Sequence, residues 1–221
     1  MKFYETVFLL PQENIDADEQ LLRDAEQAVQ ENWSDNRGES FRVWESSETF
    51  VVLGRSSKES AEVNRDACAE DGVAVVRRSS GGLSIVTGPG CLMYAVTLRR
   101  DLHPSLKTPD AMHSFVLARI REAVHDALDR SGSPLVPQQE GFSDLAIDRR
   151  KFSGNSLRFT RNAILYHGTL LYNFRLEDID RYLQHPPKMP EYRKDRSHDA
   201  FVMNLPLTAE ALTESLRALV F

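Results

Sequence analysis

Hydrophobic and polar positions along this chain switch repeatedly between a helical and an extended period, with no internal repeat. Residues Ala17 to Asn32 set Leu21, Ala25, Ala28 and Val29 on one face behind early acidic residues, which predicts an amphipathic helix. Phe50-Val51-Val52-Leu53 reads as a short buried strand that stops at Gly54. Asn64 is placed to cap a short helix through Glu70, and Gly72 to end it before a strand at Val73-Ala74-Val75-Val76. Leu83 to Val86 and Leu92 to Leu98 read as strands around the turn Thr87-Gly88-Pro89-Gly90. Thr108-Pro109-Asp110 opens the longest helix, whose Val116, Ile120, Val124 and Leu128 share a face up to a stop near Gly132. Asp144 to Asp148, Phe152 to Phe159 and Ala163 to Tyr172 form a second group of strands. Two runs of strands with helices between them predict an α+β domain rather than regular βαβ winding.

Composition narrows the class. A chain of 221 residues, 41% of them hydrophobic, is the size of one domain with a sizeable core. No apolar run approaches the ~20 residues that span a membrane. The start, Met1-Lys2-Phe3-Tyr4-Glu5, soon becomes charged, unlike a signal peptide. Cys68 and Cys91 are the two cysteines and form no CxxC pair, so a zinc site or disulfide framework is not expected and a cytoplasmic location is. A net charge of -6 argues against a general nucleic-acid-binding surface, while leaving room for a local basic pocket.

Two stretches carry candidate chemistry. Arg77-Arg78-Ser79-Ser80-Gly81-Gly82 is a basic, hydroxyl-bearing, glycine-rich turn, and Arg150-Lys151-Phe152-Ser153-Gly154-Asn155 sets a lysine beside another small-residue turn. Glycines let backbone N–H groups approach an anion closely. Arginine forks suit phosphate oxygens, and a lysine adds a mobile point charge. Together they point to a phosphorylated, nucleotide-like ligand; the same residues also suit a surface hairpin with solvated arginines.

The order of these segments resembles the lipoate–protein ligase group within the biotin and lipoate ligase catalytic-domain fold. The match runs from about Glu13 to Leu205. Its markers are the strand Phe41-Arg42-Val43-Trp44, then Val52-Leu53-Gly54-Arg55, the Arg77 to Gly82 turn, Asp144-Leu145-Ala146-Ile147 and Arg150 to Asn155. His167-Gly168-Thr169-Leu170-Leu171, Arg196-Ser197-His198 and Asn204-Leu205 follow. The resemblance implies an α+β domain of mixed and antiparallel sheets packed with helices, a single catalytic domain over residues 1–221 without an accessory domain. It implies a two-step reaction in which a lipoate or octanoate carboxylate attacks the α-phosphate of ATP, and a lysine of a lipoyl-carrier domain then takes the acyl group. The carrier would be a 2-oxoacid dehydrogenase subunit or a glycine-cleavage carrier protein, with a separate accessory chain as a further partner and neither nucleic acid nor membrane. Two unit charges ~4 Å apart repel by roughly 4 kcal/mol at an effective dielectric near 20, which a lysine touching both reactants offsets. That role falls to Lys151. The nucleotide and acyl-adenylate site would comprise Arg78, Gly81, Gly82, Leu83, Ser84, Ile85, Val86, Asp144 and Lys151, with Asp144 facing Mg²⁺. His167 is read as structural. Trp44, Leu83 to Val86 and Leu165 to Leu171 are candidates both for an acyl tunnel and for ordinary core.

The chain departs from the family pattern at two positions. Leu83 stands where the family has a third glycine, and Thr87 where it has a histidine. The first change is expected to narrow acyl selection. Two alternatives follow from these departures and from the short stretch after Leu205. One is an ATP-independent acyltransferase using Cys91, the cysteine nearest the glycine-rich turn; the other is a non-catalytic member that binds a lipoyl domain or partner subunit.

Overall fold

The computed structural model describes residues 1–184, 191–194 and 196–221. In chain order the elements are β1 (Lys2–Tyr4), α1 (Pro11–Gln30), β2 (Ser40–Trp44), β3 (Phe50–Leu53), α2 (Glu59–Glu62), α3 (Arg65–Asp71), β4 (Ala74–Arg77), β5 (Ile85–Thr87) and β6 (Cys91–Arg99). They continue with α4 (Pro109–Arg130), β7 (Gln138–Glu140), β8 (Asp144–Ile147), β9 (Arg150–Phe159), β10 (Ala163–Leu171), α5 (Glu177–Tyr182), a 3₁₀ turn (Glu191–Arg193), α6 (His198–Phe201) and α7 (Ala209–Arg217). A seven-stranded sheet runs β1-β2-β6-β10-β9-β8-β7 and a three-stranded one β4-β3-β5. Among the strand ladders of the described residues, β1–β2 and β3–β4 are parallel and the others antiparallel.

Strand β6 shows how the layers arise. All nine of its residues are buried, because both faces of the large sheet are covered. Leu92, Tyr94, Val96 and Leu98 enter a core with Val116, Ile120 and Val124 of α4 and Leu212 and Leu216 of α7. The alternate residues Cys91 and Met93 face the opposite way and meet Phe50 to Leu53 of β3. Ala95 packs there on Leu22 and Ala25 of α1. The period of two in a strand thus decides which face serves packing and which meets the smaller sheet.

Local sequence explains most boundaries. Thr108 accepts from the Ala111 N–H and caps α4, with Pro109 at its first position. Asn64 caps α3, and Gly72 ends it at φ +69°. α1 begins at Pro11 rather than near Ala17: Pro11 is preset for a first turn, Asn14 is buried against the backbone of Phe8, and the Glu13 carboxylate accepts from the Leu10 N–H. The expected strand Leu83 to Val86 begins only at Ile85, since Ser84 is drawn off the ladder by a side chain described below. β1 and β7 are further strands of three residues each, β7 wholly polar, and both too short for alternation to be read. The turn between β8 and β9 holds Asp148 at φ +48° and Arg149 at φ +61°, a left-handed pair typical of a two-residue hairpin but lacking glycine.

Candidate active site

β3 and the glycine-rich turn are joined by the two arginines. Arg78 is 7% exposed. Its Nε–H donates to Ser80 Oγ (3.0 Å), Nη1 to the Val52 carbonyl (3.3 Å), and Nη2 to the Gly81 (2.6 Å) and Leu83 (2.9 Å) carbonyls. Burial pulls its pKa down to about 10, against the opposing pull of Glu62, so it stays charged at neutral pH. Arg77 Nη1 donates to the Gly54 (2.7 Å), Arg55 and Ser57 carbonyls. These guanidinium groups, expected as phosphate forks, hold the chain's own backbone. Gly54 is required sterically: a Cβ there would lie 2.0 Å from the Gly82 carbonyl oxygen. Gly82 itself sits at φ +84°.

Glu62 fixes the far side of the turn. It accepts from the Ser84 N–H and hydroxyl, both at 2.8 Å, and from the Ser57 hydroxyl at 2.9 Å. Burial alone would raise its pKa; these hydrogen bonds overcome that and hold it below the usual value.

Lys151 and Asp144 come together from β9 and β8. A bulge between Leu145 and Ala146 leaves Phe152 unopposed, and Phe152 drops into the α4 core while Lys151 faces the other way. Lys151 Nζ lies 2.7 Å from Asp144 Oδ1, and the Tyr192 hydroxyl donates to Asp144 Oδ2 at 2.8 Å. Gly154 makes room for this pair, since a Cβ would meet Lys151 Nζ at 2.9 Å. The lysine is therefore not an isolated charge.

A buried polar chain backs the site. Ser80 Oγ lies 2.5 Å from His167 Nε2. Ser80 accepts from Arg78 Nε–H, and its hydroxyl can still donate to His167 Nε2 or accept from it, according to the His167 tautomer. Burial, reinforced by the Arg78 charge, pushes the imidazole pKa down to about 3. Asp18 Oδ2 stands 4.0 Å from His167 Nδ1, and Asp18 Oδ1 pairs with the buried Arg42 at 2.6 Å. An imidazole whose pKa falls from 6.5 to about 3 on folding contributes stability above pH 6.5 and loses it as the pH falls toward 3. The cost is at most about 1.4 kcal/mol per pH unit. Asp18, raised by burial from 3.8 to about 6, acts oppositely between those values, so the comparison is with His167→Gln. Thermal melts from pH 7 to pH 4 should show wild type losing stability faster than the variant; parallel curves would contradict a neutral His167.

These elements enclose a cavity of about 370 Å³, within the range of small-molecule sites. Arg78, Gly82, Leu83, Ser84, Ile85, Val86, Asp144 and Lys151 all line it. Gly81 does not, and a Cβ there would meet open space. Of the tunnel candidates, His167, Gly168, Thr169 and Leu171 line the cavity, whereas Trp44 is buried against Phe50 with its indole N–H on Asp18. Thr87 is fully buried, its hydroxyl on Met93 Sδ, and does not reach the cavity. Leu83 is 38% exposed at the cavity wall. Glu62, Tyr192 and Arg193, absent from the motifs, belong to the site by packing; only the nearby Arg196-Ser197-His198 marker hinted at the last two. Cys91 is 0% exposed, and burial pushes its thiol up to about 12. Among the described residues no base bonds to it, so its setting is that of a packed thiol and argues against a nucleophile.

Residues 10–215 match the Lipoyl protein ligase A/B catalytic domain. The chain belongs to this family. The putative lipoate-protein ligase A of Schizosaccharomyces pombe is 29% identical over 136 residues, covering 62% of this chain and 34% of that protein. The chain thus spans about a third of that relative's length. A bi-partite lipoate protein ligase from Thermoplasma acidophilum, solved with its E2 lipoyl domain, superposes with a TM-score of 0.69 at 18% identity over 98% of this chain and 80% of that one. A lipoate-protein ligase A bound with ATP gives 0.69 at 18% over 98% and 83%. The fold is that of the lipoate ligases. Among the described residues no helix is long and apolar enough to cross a membrane.

Proposed function

We propose that this chain carries the adenylating site of an ATP-dependent lipoate– or octanoate–protein ligase. The observation that carries the reading is the Lys151–Asp144 pair in the wall of a cavity whose apolar lining includes Ile85, Val86, Met93 and Leu171. An acyl chain suits the apolar part, and its carboxylate needs a cation where it meets a phosphate. In this reading Lys151 swings between Asp144 and the reacting oxygens, and offsets the charge that develops as carboxylate meets α-phosphate. Arg78 and Glu62 hold the turn, from Gly81 to Val86, against which the nucleotide lies. The ATP-bound relative supports ATP as the activating substrate.

No group of three or more His, Cys, Asp or Glu side chains able to hold a metal occurs among the described residues. A magnesium ion held mostly by phosphates needs only one or two carboxylates. Asp144 fits that single place, though its oxygens already meet Lys151 and Tyr192; the ion would neutralise phosphate charge.

The proposed acceptor is a lysine on a lipoyl-carrier domain, of a 2-oxoacid dehydrogenase subunit or a glycine-cleavage carrier protein. The T. acidophilum ligase supports the carrier, and its bi-partite description is the precedent for an accessory chain. Incubation with ATP, Mg²⁺, octanoate or lipoate and an isolated lipoyl domain should add one acyl group to the carrier, seen by intact mass. Transfer that proceeds without ATP from an acylated carrier would contradict the ligase. Cys91→Ala should keep most of the acylation rate, and no acyl-thioester should be trapped on the wild-type chain. An acyl mass on the chain that vanishes in Cys91→Ala would instead restore the transferase.

A further inference from the structure

Arg193 ends the 3₁₀ turn and is 3% exposed. Its Nε–H donates to the Arg196 carbonyl at 2.9 Å, and its guanidinium lies 5.0 Å from the centre of the Phe201 ring. Its Nη2 is buried with no hydrogen-bond partner among the described residues. Arg193 also lines the cavity. The preceding Tyr192 is bonded to Asp144, and Val202, next to Phe201, bridges to Lys151. Arg193 is thereby tied to the same wall as the Lys151–Asp144 pair.

A buried donor without a partner costs free energy, and one on a side chain that lines a cavity gains an acceptor when a bound anion comes within its reach. The other cations there are already engaged: Arg78 with Ser80 and three carbonyls, Lys151 with Asp144. Among the charged residues that line the cavity, the cations Arg78, Lys151 and Arg193 outnumber the carboxylates Glu62 and Asp144, and His167 is neutral, in a chain of net charge -6. Burial lowers the Arg193 pKa, Asp180 favours its charged form and Arg196 opposes it. A desolvated guanidinium in that setting is strongly disposed toward an anion.

We propose that Arg193 is a further substrate-binding residue, its guanidinium donating to an oxyanion of the bound ligand, either the acyl carboxylate or a phosphate of the nucleotide. The proposal rests on the ligase reading. It is tested by calorimetric titration of ATP and, separately, octanoate into wild type, Arg193→Met and Arg193→Lys, with melting temperatures of the unliganded proteins. Arg193→Met should weaken one probe by about tenfold or more, beyond any fall in the unliganded melting temperature from losing the Nε–H bond to the Arg196 carbonyl. Arg193→Lys should recover part of the affinity. A loss confined to ATP assigns the phosphate, and a loss confined to octanoate assigns the carboxylate. Unchanged affinity for both probes in both variants overturns the proposal alone, as does a lower melting temperature with unchanged affinity. Wild type binding neither probe overturns the ligase reading and this inference with it.

Discussion

Lys151→Ala is expected to slow acyl-adenylate formation by at least ~100-fold while the chain stays folded. Removing one electrostatic contact made in the transition state commonly costs two to three orders of magnitude. The fold should tolerate the change because the Lys151 side chain is 27% exposed and Asp144 keeps the Tyr192 hydroxyl. A partly exposed pair of this kind contributes about 1 kcal/mol or less, a shift of a few degrees in melting temperature at most. Lys151→Arg should not rescue the rate, since a planar fork does not fit the space Gly154 leaves for a slender ammonium stem. Adenylation by Lys151→Ala near the wild-type rate, measured in single turnover with radiolabelled ATP, would remove this residue from the mechanism.

Arg78→Met is expected to produce the largest loss of stability, roughly 3–5 kcal/mol. The arginine satisfies the carbonyls of Val52, Gly81 and Leu83 and orders Ser80, and methionine fills the volume without replacing any donor. Each buried acceptor left without a partner costs about 1–3 kcal/mol, with partial relief as water enters. The glycine-rich turn would then lose its tie to β3, and the Ser80–His167 contact its orientation. Urea denaturation reads the effect directly, as a lower midpoint at unchanged slope. Arg78→Lys should recover less than half, because one ammonium cannot reach four oxygens lying in a fork. A midpoint within experimental scatter of wild type would mean that the turn is held by other contacts.

These two residues show how far the sequence could be read. Elements with their own punctuation were legible: Thr108 and Pro109 start α4, Asn64 and Gly72 bracket α3, and the apolar runs of β6 and β10 stand out. Elements defined by distant partners were not. The first turns of α1 carry polar residues and a proline, and their helical state depends on burying Asn14 beside Arg42. Ser84 sits in a run of strand-forming residues, yet Glu62 on α2 takes its N–H and hydroxyl. The two motifs meet at one cavity, which Lys151 and the Gly82 to Val86 segment both line. Their chemistry was less evident: arginines that look like phosphate forks clamp backbone, and a lysine that looks solitary has a carboxylate 2.7 Å away. Arg193 reaches the cavity, and Tyr192 reaches Asp144 at its wall, by tertiary packing, which no local pattern encodes.

The central claim is that this cavity activates an acyl carboxylate with ATP, and ATP–pyrophosphate exchange tests it most directly. Label should pass from pyrophosphate into ATP only when lipoate or octanoate is present, should not do so with biotin, and should be lost in Lys151→Ala. Exchange with none of the three acids, from protein that binds ATP, would contradict the account.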